Sequence, residues 1–307
     1  MPQDDLTLFE TRLKTMLPAE YRERYDEVQP VSMGSAGLKY AEDGRVAWNE
    51  IWGSFCDLAM AGGPPHRGRM LLPATRDEVA ADAPRYREVT KELCRGVALV
   101  TRLIAEPADV PGWIHVDCVG VTMAGWLARA ITLENVSAHC QGMVLHLPAG
   151  PHFRVEKEVK NVITSIAKTV HYWQQHTAPA QQRAVGNLLN AMEAEAPLLQ
   201  APFTLQEQEH PEVDTLRGKV AASLTALTGL PCNGVESRGW LGMDCGSIPD
   251  AVKLMRLIVA NNVLCRREET LVYLPIHPVA DPAGERLLQV VKRAFVAANQ
   301  IQQTKDQ

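Results

Sequence analysis

The sequence predicts an α+β fold: three tandem βαββα-like repeats in a pseudo-threefold arrangement, with an N-terminal helix and a helical insertion between repeats two and three. Three observations predict it. Gly112–Pro148 and Gly239–Pro275 align without a gap and share 12 identities over 37 positions, where unrelated sequences of ordinary composition would match at roughly 2. A fainter copy, Gly37–Pro73, keeps the opening Gly, an acid five places on (Glu42, Asp117, Asp244) and the closing Leu-Pro. Within the copies, hydrophobic periodicity switches from 2 to 3.6 and back. The segments that follow are 1–36 (N-terminal helical segment), 37–104 (repeat one), 112–174 (repeat two), 175–237 (insertion) and 238–307 (repeat three with a C-terminal helix).

Residues 4–28 read as a helix, because Leu6, Phe9, Leu13, Met16 and Leu17 recur at helical spacing, and Pro18 breaks or kinks it. In repeat two, Trp113–Cys118 alternates, with Ile114, Val116 and Cys118 on one face and His115 and Asp117 on the other. Met123, Trp126, Leu127, Ala130 and Ile131 then form one helical stripe. A hairpin follows, with its turn at Gln141-Gly142, so that His139 faces Val144 and Ser137 faces His146. Helices close the repeats at about 84–104, 155–173 and 284–299. A repeat of about 60 residues is marginal alone, so the copies are expected to bury surface against each other. The insertion reads as helices at 180–195 and 211–228, and its stripe Val185, Leu188, Leu189 and Met192 needs a partner surface in this chain or in a second subunit. By pattern, Trp48, Trp52, Trp113, Trp126 and Trp240 belong to the repeat cores.

Composition narrows the function classes. A net charge of −5 gives no basic field for nucleic acid or anionic membrane. No run approaches the roughly 18 apolar residues of a membrane span, and the acidic start MPQDDLTLFE does not read as a signal peptide. Seven cysteines without C-x-x-C argue against a disulfide framework or a zinc ribbon. The chain therefore reads as cytoplasmic, with no nucleic-acid or membrane partner.

Six of the nine histidines fall between residues 115 and 176. Strand parity gathers His115, Asp117, His139 and His146 on one polar sheet face, a set that suits a general base with an orienting acid. If a metal binds, His115, His139 and His146 are its ligands and a divalent ion is the cofactor. Repeat three offers Gly242, Asp244, Arg266 and Tyr273 at those places, which keeps the polarity without the ligand types. Cys118 and Cys245 have core parity and read as structural thiols.

The loop 62–69, GGPPHRGR, is where repeat one departs most from the others. Its backbone and His66, Arg67 and Arg69 suit a carboxylate or phosphate, though the P-loop pattern is absent. On the helix after repeat two, Lys160, Thr164, Lys168 and His171 form one stripe that would wall the same anion pocket.

Two functional readings follow. The first is an enzyme of small-molecule metabolism acting on an anionic substrate at a pocket between repeats. Its acid/base groups would be His115, Asp117, His139 and His66, and its substrate contacts Arg67, Arg69, Lys168 and His171. The second is a non-catalytic subunit or assembly factor that binds a protein through the repeat surface and the 175–237 insertion. A homo-oligomer is expected under either.

Overall fold

The computed structural model describes residues 2–31, 37–50, 55–234 and 239–305. The chain divides into two compact units. One, the first-copy unit, comprises Pro18–Glu20 and Arg24–Arg183; the other, the second-copy unit, comprises Met1–Leu17, Tyr21–Glu23 and Ala184–Gln307. The elements in chain order are α1 (Pro2–Met16), α2 (Arg76–Ala81), α3 (Ala83–Thr101), β1 (Ile104–Pro107), β2 (Trp113–Asp117), α4 (Val121–Leu133), β3 (His139–Gln141), β4 (Val144–Pro148), α5 (Lys160–Gln175), α6 (Pro179–Glu195), α7 (Leu205–Gln208), α8 (Val213–Thr228), β5 (Cys232–Gly234), β6 (Trp240–Asp244), α9 (Ile248–Val259), β7 (Arg266–Glu268), β8 (Leu271–Pro275) and α10 (Glu285–Lys305).

The stretches 112–148 and 239–275 share one topology. Each is strand, helix and hairpin, and each belongs to a four-stranded antiparallel sheet, ordered β1-β2-β4-β3 in one unit and β5-β6-β8-β7 in the other. Residues 37–73 do not follow this plan. Among the described residues they form a bridge between Tyr40 and Val46, 3-10 turns at Trp48–Glu50 and Ala59–Ala61, and a single parallel bridge from Leu71 to Val136. The Gly and Leu-Pro ends matched there without the alternation that makes a paired strand; Gly62, Pro64 and Pro65 instead suit a loop. The threefold arrangement is therefore replaced by two matching copies.

The matching region is wider than the identities suggest. Leu71 bridges to Val136 and Leu199 to Val263, both in parallel. A Thr-x-x-Glu capping box follows each bridge. The Glu78 amide donates to Thr75 Oγ1 (3.2 Å) and the Thr75 amide to Glu78 Oε2 (2.7 Å); Glu207 and Thr204 repeat this at 3.3 and 2.9 Å. The long helices α3 and α8 end alike. Thr101 and Thr228 donate back to the carbonyls of Val97 and Leu224, and left-handed residues follow at Arg102 and Gly229. α3 packs on β1 and α5, as α8 packs on β5 and α10. Residues 71–175 and 199–305 are thus two copies of one helix–ββ–helix–ββ–helix unit. α1 adds to the second-copy unit by packing on α9 and α10. It ends at Met16, just before Pro18, through its buried face of Phe9, Leu13 and Met16.

The core lies between each sheet and its helices. Leu145 and Leu147 of β4 are buried on α4, whose Met123, Trp126, Leu127, Ala130 and Ile131 are buried in turn, and Ile114 and Val116 are buried on β2, which packs on α3. Trp48, Trp113, Trp126 and Trp240 are buried; Trp52 lies outside the described residues. Val185 and Met192 of α6 are buried. No described helix is long and apolar enough to cross a membrane.

Candidate functional site

Three groupings of polar side chains stand out in the first-copy unit, and the residues singled out from the sequence are divided among them. On the sheet, Glu106, His115, His146 and His139 stand side by side in one row across all four strands. The hairpin turn is Gly142-Met143, with Gly142 at φ 59°, so His139 pairs directly with His146 and not with Val144. A shift of two residues preserves parity, so the expected face survives the altered register. His115 Nε2 lies 3.7 Å from Glu106 Oε2, and the His139 and His146 rings are 6.1 Å apart. Burial and the neighbouring His115 lower the His146 pKa. Asp117 is exposed at the strand end. Parallel side chains on adjacent strands do not converge, and among the described residues no group of three or more His, Cys, Asp or Glu is placed to hold a metal. That removes the geometric basis for an ion shared by His115, His139 and His146. The matching row of the second copy holds Gly242, Tyr273 and a buried Arg266. This guanidinium lies 4.1 Å from the Tyr273 ring centre and 4.9 Å from that of Trp240, and pairs with Glu268.

The second grouping is built on Glu134 at the end of α4, on the helix side of the sheet. Its buried carboxylate lies 2.9 Å from Lys168 Nζ and accepts the amides of Ala59 (3.0 Å) and His66 (2.9 Å). Lys168 also donates to the Asp57 carbonyl at 2.9 Å. Asn135, left-handed at φ 60°, donates its side-chain amide to the Arg67 carbonyl (2.8 Å). Loop 57–67 is therefore pinned to α4 and α5 by a buried ion pair and backbone contacts. Lys168, read from sequence as an anion ligand, is committed to this pair.

His66 is drawn against α5, where its Nε2 lies 2.7 Å from Thr164 Oγ1. Its pKa falls to about 4, chiefly through burial, with Lys168, Arg67 and Lys160 adding to the effect and Asn161 opposing it. The imidazole is therefore neutral at pH 7. Arg67 is half-buried near Glu158, and Arg69 is exposed. α5 is entered through a π-helical turn, Val155–Val159, a distortion often found at functional sites. There Glu158 lies 3.5 Å from Arg154 and 4.0 Å from Lys157.

The third grouping lines a cleft of about 440 Å³. Glu20 Oε2 lies 2.9 Å from His176 Nδ1, and His176 Nε2 lies 3.1 Å from His171 Nε2. Phe55, Tyr172, Gln174 and Gln175 complete the walls. The structure thus places His171 here, at the far end of α5 from Lys160. Burial and His176 lower its pKa, against the pull of Glu20.

Sequence reasoning missed Glu134, Glu106, Glu20 and His176 as partners. Glu134 was the one with a legible signal, as an acid directly after the apolar stripe of a helix and beside Asn135. Cys118 is buried and Cys245 half-buried, and burial pushes both thiols up to about 12, which disfavours the nucleophilic thiolate. No protein-family model, curated protein sequence or solved structure matches the chain.

Proposed function

We propose that the chain is an enzyme of small-molecule metabolism that binds a carboxylate- or phosphate-bearing substrate beside loop 64–69 and the start of α5. The observation that carries this reading is the group of cations, Lys168, Arg67 and Lys160, close enough to a half-buried His66 to oppose its protonation. Arg67 and Lys160 flank it, and Arg154 and Lys157 stand on the adjoining π-helical turn. Glu134 is occupied by Lys168 and two amides, and Glu158 sits among the outer cations, 3.5 Å from Arg154 and 4.0 Å from Lys157, so the margin is partly neutralised. The second copy serves as an internal contrast. Counting from buried Val159 and Leu287, the places of Lys160 and Lys168 hold Leu288 and Val296, and the end of α6 ahead of Leu199 carries Glu193 and Glu195. The second copy keeps one cation there, Arg286, and commits it to the carbonyls of Ala196 and Asn262, 3.5 and 3.1 Å away. A neutral imidazole among cations can hydrogen-bond a substrate oxygen or take a proton from it.

The test is thermal unfolding of the full chain in inorganic phosphate and in succinate, against chloride at equal ionic strength. Saturable stabilisation by one of them, lost in Arg67→Ala and Lys160→Ala, supports the reading. Equal behaviour of all three proteins with both anions refutes it.

A second reading, a subunit that binds protein, is favoured by one feature of the first sheet. Ile104, Val119, Val121 and Met143 are all exposed at one end of it, Val119 by 82%. Ile104 pairs with Asp117, and the Met143 carbonyl accepts the Cys118 amide, so the four are neighbours. The second copy has Pro231, Gly246, Ile248 and Thr270 there. The occupant we assign is a second copy of the chain, since homodimers commonly cover such a patch about a twofold axis. Sedimentation should show a dimer that Val119→Glu with Met143→Glu converts to monomer; a monomer in the unaltered protein refutes this.

A further inference from the structure

The cleft at the C-terminal end of α5 has no part in the anion site, and its chemistry differs. The Ala19 amide bonds the His176 carbonyl at 3.4 Å, which sets Glu20 beside the imidazole of His176. His176 follows the last helical residue with φ −113° and ψ 1°, so the chain leaves the helix there and the two rings meet obliquely, at 59° with centres 4.8 Å apart. The contact with Glu20 places a proton on His176 Nδ1 and leaves its Nε2 lone pair aimed at His171.

We propose that His171 and His176 bind one divalent transition-metal ion, Cu²⁺ or Zn²⁺, through their Nε2 atoms, with Glu20 as the outer carboxylate. Three observations support it. The first is spacing. Two imidazole nitrogens 3.1 Å apart, each at the usual metal–nitrogen distance of about 2.0–2.1 Å, subtend roughly 95–100° at the ion, between the square-planar and tetrahedral angles. The second is the hydrogen bond behind the ligand. A carboxylate on the far ring nitrogen orients ligand histidines and raises their basicity. The third is room: the cleft of about 440 Å³ accommodates waters to complete the coordination shell, with Gln174 and Gln175 at its wall. No third His, Cys, Asp or Glu ligand joins them among the described residues. Two side-chain ligands leave the remaining coordination positions to water. Binding requires His171 to carry its proton on Nδ1, so that both Nε2 atoms face the ion.

The experiment is calorimetric titration of the full chain, first stripped with chelator, with CuCl₂ and with ZnCl₂. Electron paramagnetic resonance on the copper form counts the bound nitrogens. We expect one saturable site with a two-nitrogen signature and Cu²⁺ held more tightly than Zn²⁺. His171→Ala and His176→Ala should each abolish it, and His210→Ala should leave it intact. Glu20→Gln should weaken it by roughly 10–100-fold, the usual loss for an outer partner. Circular dichroism checks that each variant folds. Retention of the site in the His171→Ala/His176→Ala double variant, or no saturable binding in the unaltered protein, overturns the proposal. An unchanged affinity in Glu20→Gln overturns the part assigned to the carboxylate. Phosphate and succinate binding is read separately, so failure here leaves the anion site standing, and the reverse.

Discussion

Replacing Glu134 with Gln should be among the most damaging single changes to the first-copy unit. The carboxylate is buried, lies 2.9 Å from Lys168 and accepts two loop amides. Gln keeps the shape and one acceptor but leaves the Lys168 ammonium buried without its counter-charge. Breaking a buried pair from one side costs about 3–5 kcal/mol, a large part of the 5–15 kcal/mol that is typical of a whole domain. Lys168→Met should cost a similar amount, for it strands the carboxylate. The Glu134→Gln/Lys168→Met double variant should recover part of the loss, with a coupling of about 1–3 kcal/mol. Urea unfolding gives the totals. Hydrogen exchange at the Ala59 and His66 amides reads the pinned loop directly, and both should lose protection in Glu134→Gln. A Glu134→Gln protein within about 1 kcal/mol of the parent, with both amides still protected, would refute the claim that this pair holds the loop.

Acid should destabilise the first-copy unit through His66. Its folded pKa of about 4 lies below the ordinary value of 6.5, so its contribution is complete above pH 6.5 and is lost as pH falls from there toward 4. Linkage gives a loss of about 2 kcal/mol by pH 5; His66→Gln should flatten that part of the profile, and an unchanged slope would contradict the assignment. Cys118→Ala should cost roughly 1 kcal/mol, and native Cys118 should react slowly with a thiol reagent because burial raises its pKa to about 12. Rapid labelling in the folded protein would count against that placement.

Much of this fold was legible because alternation and helical spacing act over short range. Ile114, Val116, Leu145 and Leu147 went inward and the histidines outward, as a period of two requires. The turn was misplaced by one residue. Gly142 supports a left-handed conformation as the first turn residue, and Glu269 takes the same conformation in the second copy without glycine. The third copy was misread because matching ends were weighed above the missing alternation inside 37–73. The wider duplication was hidden because its markers, the Thr75 and Thr204 capping boxes and the Thr101 and Thr228 back-bonds, are a few polar residues without matching neighbours. The sites were legible only as residue types. His66 and Lys168 are 102 positions apart, and no local pattern showed that Glu134 would take the lysine and leave the imidazole among the remaining cations.

The measurement that bears most directly on the proposed anion site is a ¹⁵N NMR titration of the histidine side chains with inorganic phosphate and with succinate at pH 7, matched in ionic strength with chloride. His66 is the reporter, since its pKa is held low by burial and by the nearby Lys168, Arg67 and Lys160. An anion bound among those cations should shift its ring resonances saturably and raise its pKa, and Arg67→Ala should remove both effects. If the His66 resonances respond no more to either anion than to chloride, the site assigned to loop 64–69 and α5 is contradicted.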